Sequence, residues 1–182
     1  MNTVDSKSSE AYSVRGCRQL IRRCGQKDEE EIFNIINESA KAYKGVIAED
    51  CYHEPYMPLE ELRKEMGEMA FFGYEEEGKL SGVAGFQPVK DATLVRYTYV
   101  LPAYQRMGIG GKLLSHIKGI ASTEQLLVGT WEAATWATSF YEKHGFRLLS
   151  NKDELLRKYW KIPERQIELS VVLGTNLADE PE

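Results

Sequence analysis

The stretch Val100-Leu101-Pro102-Ala103-Tyr104-Gln105-Arg106-Met107-Gly108-Ile109-Gly110-Gly111-Lys112-Leu113-Leu114 reads as a strand end, a turn and the glycine-rich start of a helix. Glycines let successive backbone N–H groups point into one concavity, and the first turn of a helix adds unpaired donors and a partial positive charge. Arg106 adds a full charge at the rim. The residues alone point to a phosphate-bearing ligand, against a glycine-rich helix start that holds nothing. A Walker A loop would need Gly at position 106 and Ser or Thr at 113, where Arg106 and Leu113 stand. A dinucleotide fingerprint from Gly108 would need a third glycine at 113 and an acid some twenty residues on, after a parallel strand that the pattern does not supply.

Working backwards, residues 71–76, 80–89 and 91–101 alternate as three antiparallel strands, with Gly78-Lys79 at the first turn. Residues 18–24 predict a short strand. Asp28, Glu29, Glu30 and Glu31 then place acids in the first turn of a helix whose apolar stripe is Ile32, Ile35, Ile36 and Ala40. A long loop with Tyr43, Tyr52, His53, Glu54, Pro55 and Tyr56 precedes Leu59, Leu62, Met66 and Met69 at helical spacing. Working forwards, Leu113, Leu114, Ile117 and Ala121 share a helical face, and residues 125–128 form a buried strand. A helix over 134–144 has Thr135 as its cap and Gly145 as its terminator. Residues 146–149 resume extended structure, 153–160 are helical, and Ile167, Leu169, Val171 and Leu173 alternate as a last strand. The expected organisation is a tail over 1–14, one domain over 15–174 and a frayed tail over 175–182.

The 182 residues suit one core, at 42 % apolar and 28 % charged. With 28 acids against 23 bases the net charge is −5, which argues against nucleic acid as a partner. No apolar run approaches the ~18 residues that a bilayer span requires, and no signal peptide is legible, so no membrane partner and a cytoplasmic location are expected. Cys17, Cys24 and Cys51, like His53, His116 and His144, are scattered without ligand spacing, so no metal is expected.

Gln105-x-x-Gly108-x-Gly110 after Tyr99-Val100-Leu101-Pro102 resembles the acyl-CoA diphosphate loop of the GNAT superfamily of N-acetyltransferases. Ser139-Phe140-Tyr141-Glu142-Lys143-His144-Gly145-Phe146 resembles that family's second signature, a helix ending in Phe-Tyr-x-x-x-Gly-Phe. The order of elements over about 17–174 also matches. The resemblance implies an α/β fold: a mixed, mostly antiparallel sheet splayed between strands 4 and 5 and flanked by helices.

It further implies acetyl-CoA as cosubstrate and direct attack by an amine on the thioester. No Ser or Cys sits in a recognisable nucleophile setting, and direct transfer needs none. Carried over residue by residue, Thr98, Tyr99 and Val100 would bind pantetheine. Gln105, Arg106, Met107, Gly108, Ile109, Gly110 and Gly111 would hold the diphosphate. The Val100 N–H would face the thioester oxygen, and Tyr141 would serve the departing thiolate; on spacing alone Tyr141 is equally a core aromatic. Where several members carry a catalytic glutamate this chain has Gly129, and Ala134 replaces a frequent coenzyme-contacting asparagine. Glu132 is a substitute base in range, His53 and Glu54 are others, and Tyr52, His53 and Glu54 are the acceptor-loop candidates. Trp131 and Trp136 either wall the acceptor cleft or pack. The acceptor is a small-molecule or peptide amine, and residues 153–160 border either the acceptor or a homodimer contact. A noncatalytic coenzyme-binding module of the same fold is the alternative.

Overall fold

The meander expected in the middle of the chain forms the centre of a seven-stranded sheet. In the computed structural model, which describes residues 19–177, β1 (Gln19–Arg23), β2 (Ala70–Glu76), β3 (Lys79–Val89) and β4 (Ala92–Val100) follow one another antiparallel. The β2–β3 turn is made by Glu77 and Gly78, both at positive φ, one residue earlier than expected. β5 (Gln125–Trp131) lies parallel to β4, β7 (Ser170–Asn176) is antiparallel to β5, and the two-residue β6 (Arg147–Leu148) closes the edge, giving the order β1-β2-β3-β4-β5-β7-β6.

Helices cover both faces. α1 (Glu29–Ala40) carries Glu29, Glu30 and Glu31 in its first turn, where the helix dipole favours them, and buries Ile32, Ile35 and Ile36 with Leu62 of α2 (Leu59–Glu68). α3 (Ile109–Ile120) sets Ile109, Leu113, Leu114 and Ile117 against the opposite face with Tyr141 of α4 (Thr135–Lys143). α5 (Lys152–Tyr159) and α6 (Glu164–Glu168) cover the β5–β7 side. The loop from α1 to α2 is packed rather than solvated: Asn37 brackets Met57 by accepting from its N–H at 2.8 Å and donating to its carbonyl at 3.1 Å.

Three expectations need correction. The alternation at Ile167 and Leu169 is not strand: Pro163 opens the short helix α6, Ile167 is its one buried residue, and extended structure starts only at Ser170. Thr135 is the first residue of α4 and makes no cap; Ala134 precedes it. Thr175 and Asn176, placed in the frayed tail, pair with Leu126 and Gln125. The expected tail over 1–14 and residues 178–182 lie outside the described residues. Among the described residues no helix is long and apolar enough to cross a membrane.

The turn into α1 is fixed by charge. Asp28, 3 % exposed, accepts from both terminal nitrogens of Arg22 at 2.9 and 2.8 Å and from the Gly25 N–H at 2.8 Å. The Arg22 hydrogen bonds, helped by Gly25 and opposed by desolvation, hold the Asp28 carboxyl below its ordinary range. A lowered folded pKa means that this stabilisation is present above the unfolded value and is lost as pH falls through the folded one. Asp28→Asn should therefore lower unfolding free energy at neutral pH by about 2–3 kcal/mol in urea titrations, and the gap to the parent should narrow from about pH 5 downward. An unchanged midpoint, or a gap that widens on acidification, contradicts this account.

Candidate active site

β4 and β5 are partners only at Ala92↔Gln125, Thr93↔Leu126 and Leu94↔Leu127. Beyond Leu94 both strands continue, β4 to Val100 and β5 to Trp131, each paired on its outer edge only. The parting coincides with a bulge: between Val83↔Tyr99 and Gly85↔Arg96, Tyr97 and Thr98 together oppose Ala84, and Tyr97 takes φ +51. An extra residue bends its strand away from the neighbour. Beyond Leu94 the inner edge of β4 is thus paired by no strand among the described residues, and buried backbone groups are costly to leave unsatisfied. Thr98 adds an orphan of its own, its Oγ1 being buried without a hydrogen-bond partner.

The gap opens into a cleft of about 990 Å³, at the top of the range of small-molecule sites. At one end lies the glycine loop. Gly108 caps α3 with φ +78 and Arg106 has φ +62. The first backbone bond of the helix runs from the Lys112 N–H to the Gly108 carbonyl at 3.0 Å, and among the described residues no backbone acceptor meets the N–H groups of 106–111. Arg106 and Lys143 line this end and supply positive charge. The other two glycines serve a purpose that the sequence reading missed. A Cβ on Gly110 would stand 3.1 Å from Phe140, and one on Gly111 only 2.6 Å from His144 Nε2. They bring α3 against α4, and the Gly-Gly pair opposite the i,i+4 pair Phe140 and His144 is the signal that shows it.

In mid-cleft, the Leu101 N–H donates to the Ser81 carbonyl at 2.9 Å, so alternation along the ladder turns the Val100 N–H away from β3 and into the gap. The Val100 carbonyl is occupied by Ser39 Oγ at 3.0 Å and Gln105 Nε2 at 3.1 Å. Gln105 therefore fixes the strand end, a role the sequence did not reveal, and Ser39 escaped notice because it sits on distant α1. Tyr141 lines the same part of the cleft, 6 % exposed. Burial pushes its phenol above the ordinary value, and the Thr98 side chain, near it but outside hydrogen-bond geometry, opposes this weakly. At the far end Tyr43 and Trp136 stack at 5.9 Å, with Tyr99 edge-on to Tyr43 at 6.4 Å.

The fold is shared with solved structures. The PaiA N-acetyltransferase of Thermoplasma acidophilum in complex with coenzyme A superposes with a TM-score of 0.68 at 19 % identity, covering 87 % of this chain and 98 % of that one. A GNAT-family acetyltransferase of Staphylococcus aureus Mu50 gives 0.68 at 17 % identity, covering 87 % and 99 %. The ribosomal-protein-S18-alanine N-acetyltransferase of Escherichia coli gives 0.58 at 18 %, covering 90 % and 97 %. Residues 67–148 match the acetyltransferase (GNAT) domain family. The fold is the GNAT fold. No curated protein sequence matches the chain.

Within this GNAT fold, several residues expected at the site stand away from it. Glu132 is exposed on the turn after β5, its N–H tied to the Leu169 carbonyl, and it does not line the cleft. Tyr52, His53 and Glu54 do not line it either. Tyr52 donates to Glu54 at 3.0 Å, Glu54 pairs with Lys44 at 2.9 Å, and the Tyr52 and His53 rings lie against Tyr56, which in turn packs on Tyr43. They support the aromatic wall from behind. The Met107 side chain is 58 % exposed and points out of the cleft. Trp131 packs, donating to the Tyr56 hydroxyl at 2.7 Å, whereas Trp136 walls the cleft. At Gly129 a Cβ would meet the Trp160 indole at 3.4 Å, so an indole stands beside this strand position.

His144 cannot swing freely, because its Nδ1 lies 2.7 Å from the Phe140 carbonyl and its ring 4.5 Å from the Phe140 ring. Gly111→Val should accordingly lower stability by about 2 kcal/mol through overpacking between α3 and α4. Thermal unfolding checks this, and a melting temperature equal to the parent's contradicts it.

Proposed function

We propose that the chain transfers an acetyl group from acetyl-CoA to a primary amine by direct attack. The observation that carries this reading is the open inner edge of β4, continuous with the unpaired N–H groups of residues 106–111. A ligand with amides in line and a diphosphate at one end suits that combination, since the amides complete the strand and the diphosphate takes the helix N-terminus. Thr98, Tyr99 and Val100 would pair with the pantetheine arm, and residues 106–111, with Arg106 and Lys143, would hold the diphosphate. Bound acetyl-CoA supplies an activated acyl carbon.

The neutral amine nitrogen bonds to the acetyl carbon, the carbon–sulfur bond breaks, and the sulfur leaves as a thiolate that takes up the proton the nitrogen gives up. The Val100 N–H is aimed where charge develops on the acyl oxygen. Tyr141 serves the departing sulfur. An ordinary phenol near ~10 against a thiol near ~8.5 makes full proton transfer uphill by about 2 kcal/mol. Burial raises the Tyr141 pKa further, so its contribution is a hydrogen bond to the sulfur rather than a proton delivered in advance. Deprotonating an ordinary alkylammonium at neutral pH costs about 4.6 kcal/mol. No carboxylate is among the residues lining the cleft, so this proton leaves through water rather than through Glu132. That same lack is what favours the second reading, a noncatalytic coenzyme-binding module.

Calorimetric titration with coenzyme A, followed by thiol-release assays over a broad amine panel, separates the two. The proposed enzyme binds the coenzyme and releases thiol with at least one amine; binding without release from any amine selects the module, and no binding removes both. Gly108→Val, which forces a branched residue to φ near +78, should weaken coenzyme binding at least tenfold. Tyr141→Phe should keep coenzyme affinity and slow turnover at least tenfold, about 1.4 kcal/mol of barrier. Unchanged turnover removes Tyr141 from the mechanism.

A further inference from the structure

The two ends of the cleft differ in chemistry. Arg106 and Lys143 stand at the loop end, whereas the opposite end presents the rings of Tyr43, Tyr99 and Trp136. Trp136 lies nearly parallel to Tyr43, at 26°, and is still 45 % exposed, so the stack offers one open aromatic surface rather than a closed core. Behind it Tyr56 packs 5.3 Å from Tyr43 and accepts the Trp131 indole N–H, which holds the wall in place.

Two acids near this end are already engaged. Asp50 pairs with Arg165 at 2.9 Å, Glu54 with Lys44 at 2.9 Å, and neither lines the cleft. Arg165 is in turn shared with Glu168 at 3.2 Å, and among the described residues that line the cleft the Lys and Arg side chains are Arg106 and Lys143, both at the loop end. A second ammonium, or a carboxylate, would enter this end without a charged partner, which is costly away from water. A flat apolar body gains instead by stacking, and a single ammonium approaching the ring faces is attracted by their quadrupoles until it loses its proton.

We infer that the acceptor is a monoamine with an aryl or similarly flat apolar body, stacked on the Tyr43–Trp136 wall. This rests on the acetyl-transfer reading above: such an amine would become its N-acetyl amide, with coenzyme thiol as the other product. Neither a polyamine nor an amino acid suits the wall.

The test measures equilibrium binding of 2-phenylethylamine and of spermidine to the full chain saturated with coenzyme A, alongside thiol release from acetyl-CoA. The aryl amine should bind at least tenfold more tightly than spermidine. Trp136→Ala should weaken it at least fivefold with coenzyme affinity and melting temperature unchanged, and Trp136→Phe should restore most of the loss. Equal or tighter binding of spermidine, no detectable binding of the aryl amine, or an unaffected Trp136→Ala variant overturns the inference. Its failure is distinct from that of the transfer reading: thiol release from spermidine but not from the aryl amine would sink the aryl preference and keep the transferase. Tight aryl-amine binding with no thiol release from any amine would do the reverse.

Discussion

Everything at the cleft follows from the end of one strand pairing. After Leu94↔Leu127, β4 and β5 stop meeting, and the bulge at Tyr97 and Thr98 lies just beyond that point. Had the pair continued, the Val100 N–H would be spent on β5 and Tyr141 would be sealed beneath a sheet. The strands instead hold a wedge open between two packed layers, α1 and α2 on one face and α3 and α4 on the other. A wedge lined with unpaired backbone polar groups is tolerable only where water or a ligand can enter. The fold therefore places its most demanding groups where a strand-like ligand would satisfy them.

The glycine segment shows how one short motif carries two duties. Gly108 supplies the left-handed turn that releases the N–H groups of the loop, while Gly110 and Gly111 remove bulk so that Phe140 and His144 can close against α3. Loop geometry and α4 position are coupled through that contact, and α4 also carries Tyr141 and Trp136. The glycine-loop end, the position of Tyr141 and the aromatic wall are thus set by one helix–helix interface.

Much of this was legible along the chain, where local signals govern. The meander, the acid-led start of α1 and the terminator Gly145, at φ +87, follow from turn chemistry and dipole preference. The two motifs fall at the cleft's loop end and its middle. Legibility failed where long-range packing decides. Ile167 and Leu169 alternate like a strand, yet Pro163 and the docking of Ile167 onto the β5–β7 face impose a helical turn. Glu132 was close in sequence to the strand end but turns outward after Trp131. Tyr43 follows α1 in a single 3-10 turn, so no period marked it, although it joins Tyr56, Tyr99 and Trp136 in space. Nothing local announces that Trp160 fills the space beside Gly129.

The central claim is that the wedge between β4 and β5 is where the coenzyme lies. A crystal structure of the chain grown with acetyl-CoA tests it most directly. The account predicts the pantetheine arm running along Thr98, Tyr99 and Val100, the diphosphate on the N–H groups of 106–111, and the sulfur within hydrogen-bond reach of the Tyr141 hydroxyl. Electron density for the coenzyme elsewhere on the surface, with β4 and β5 still apart and the wedge filled by water, would contradict it.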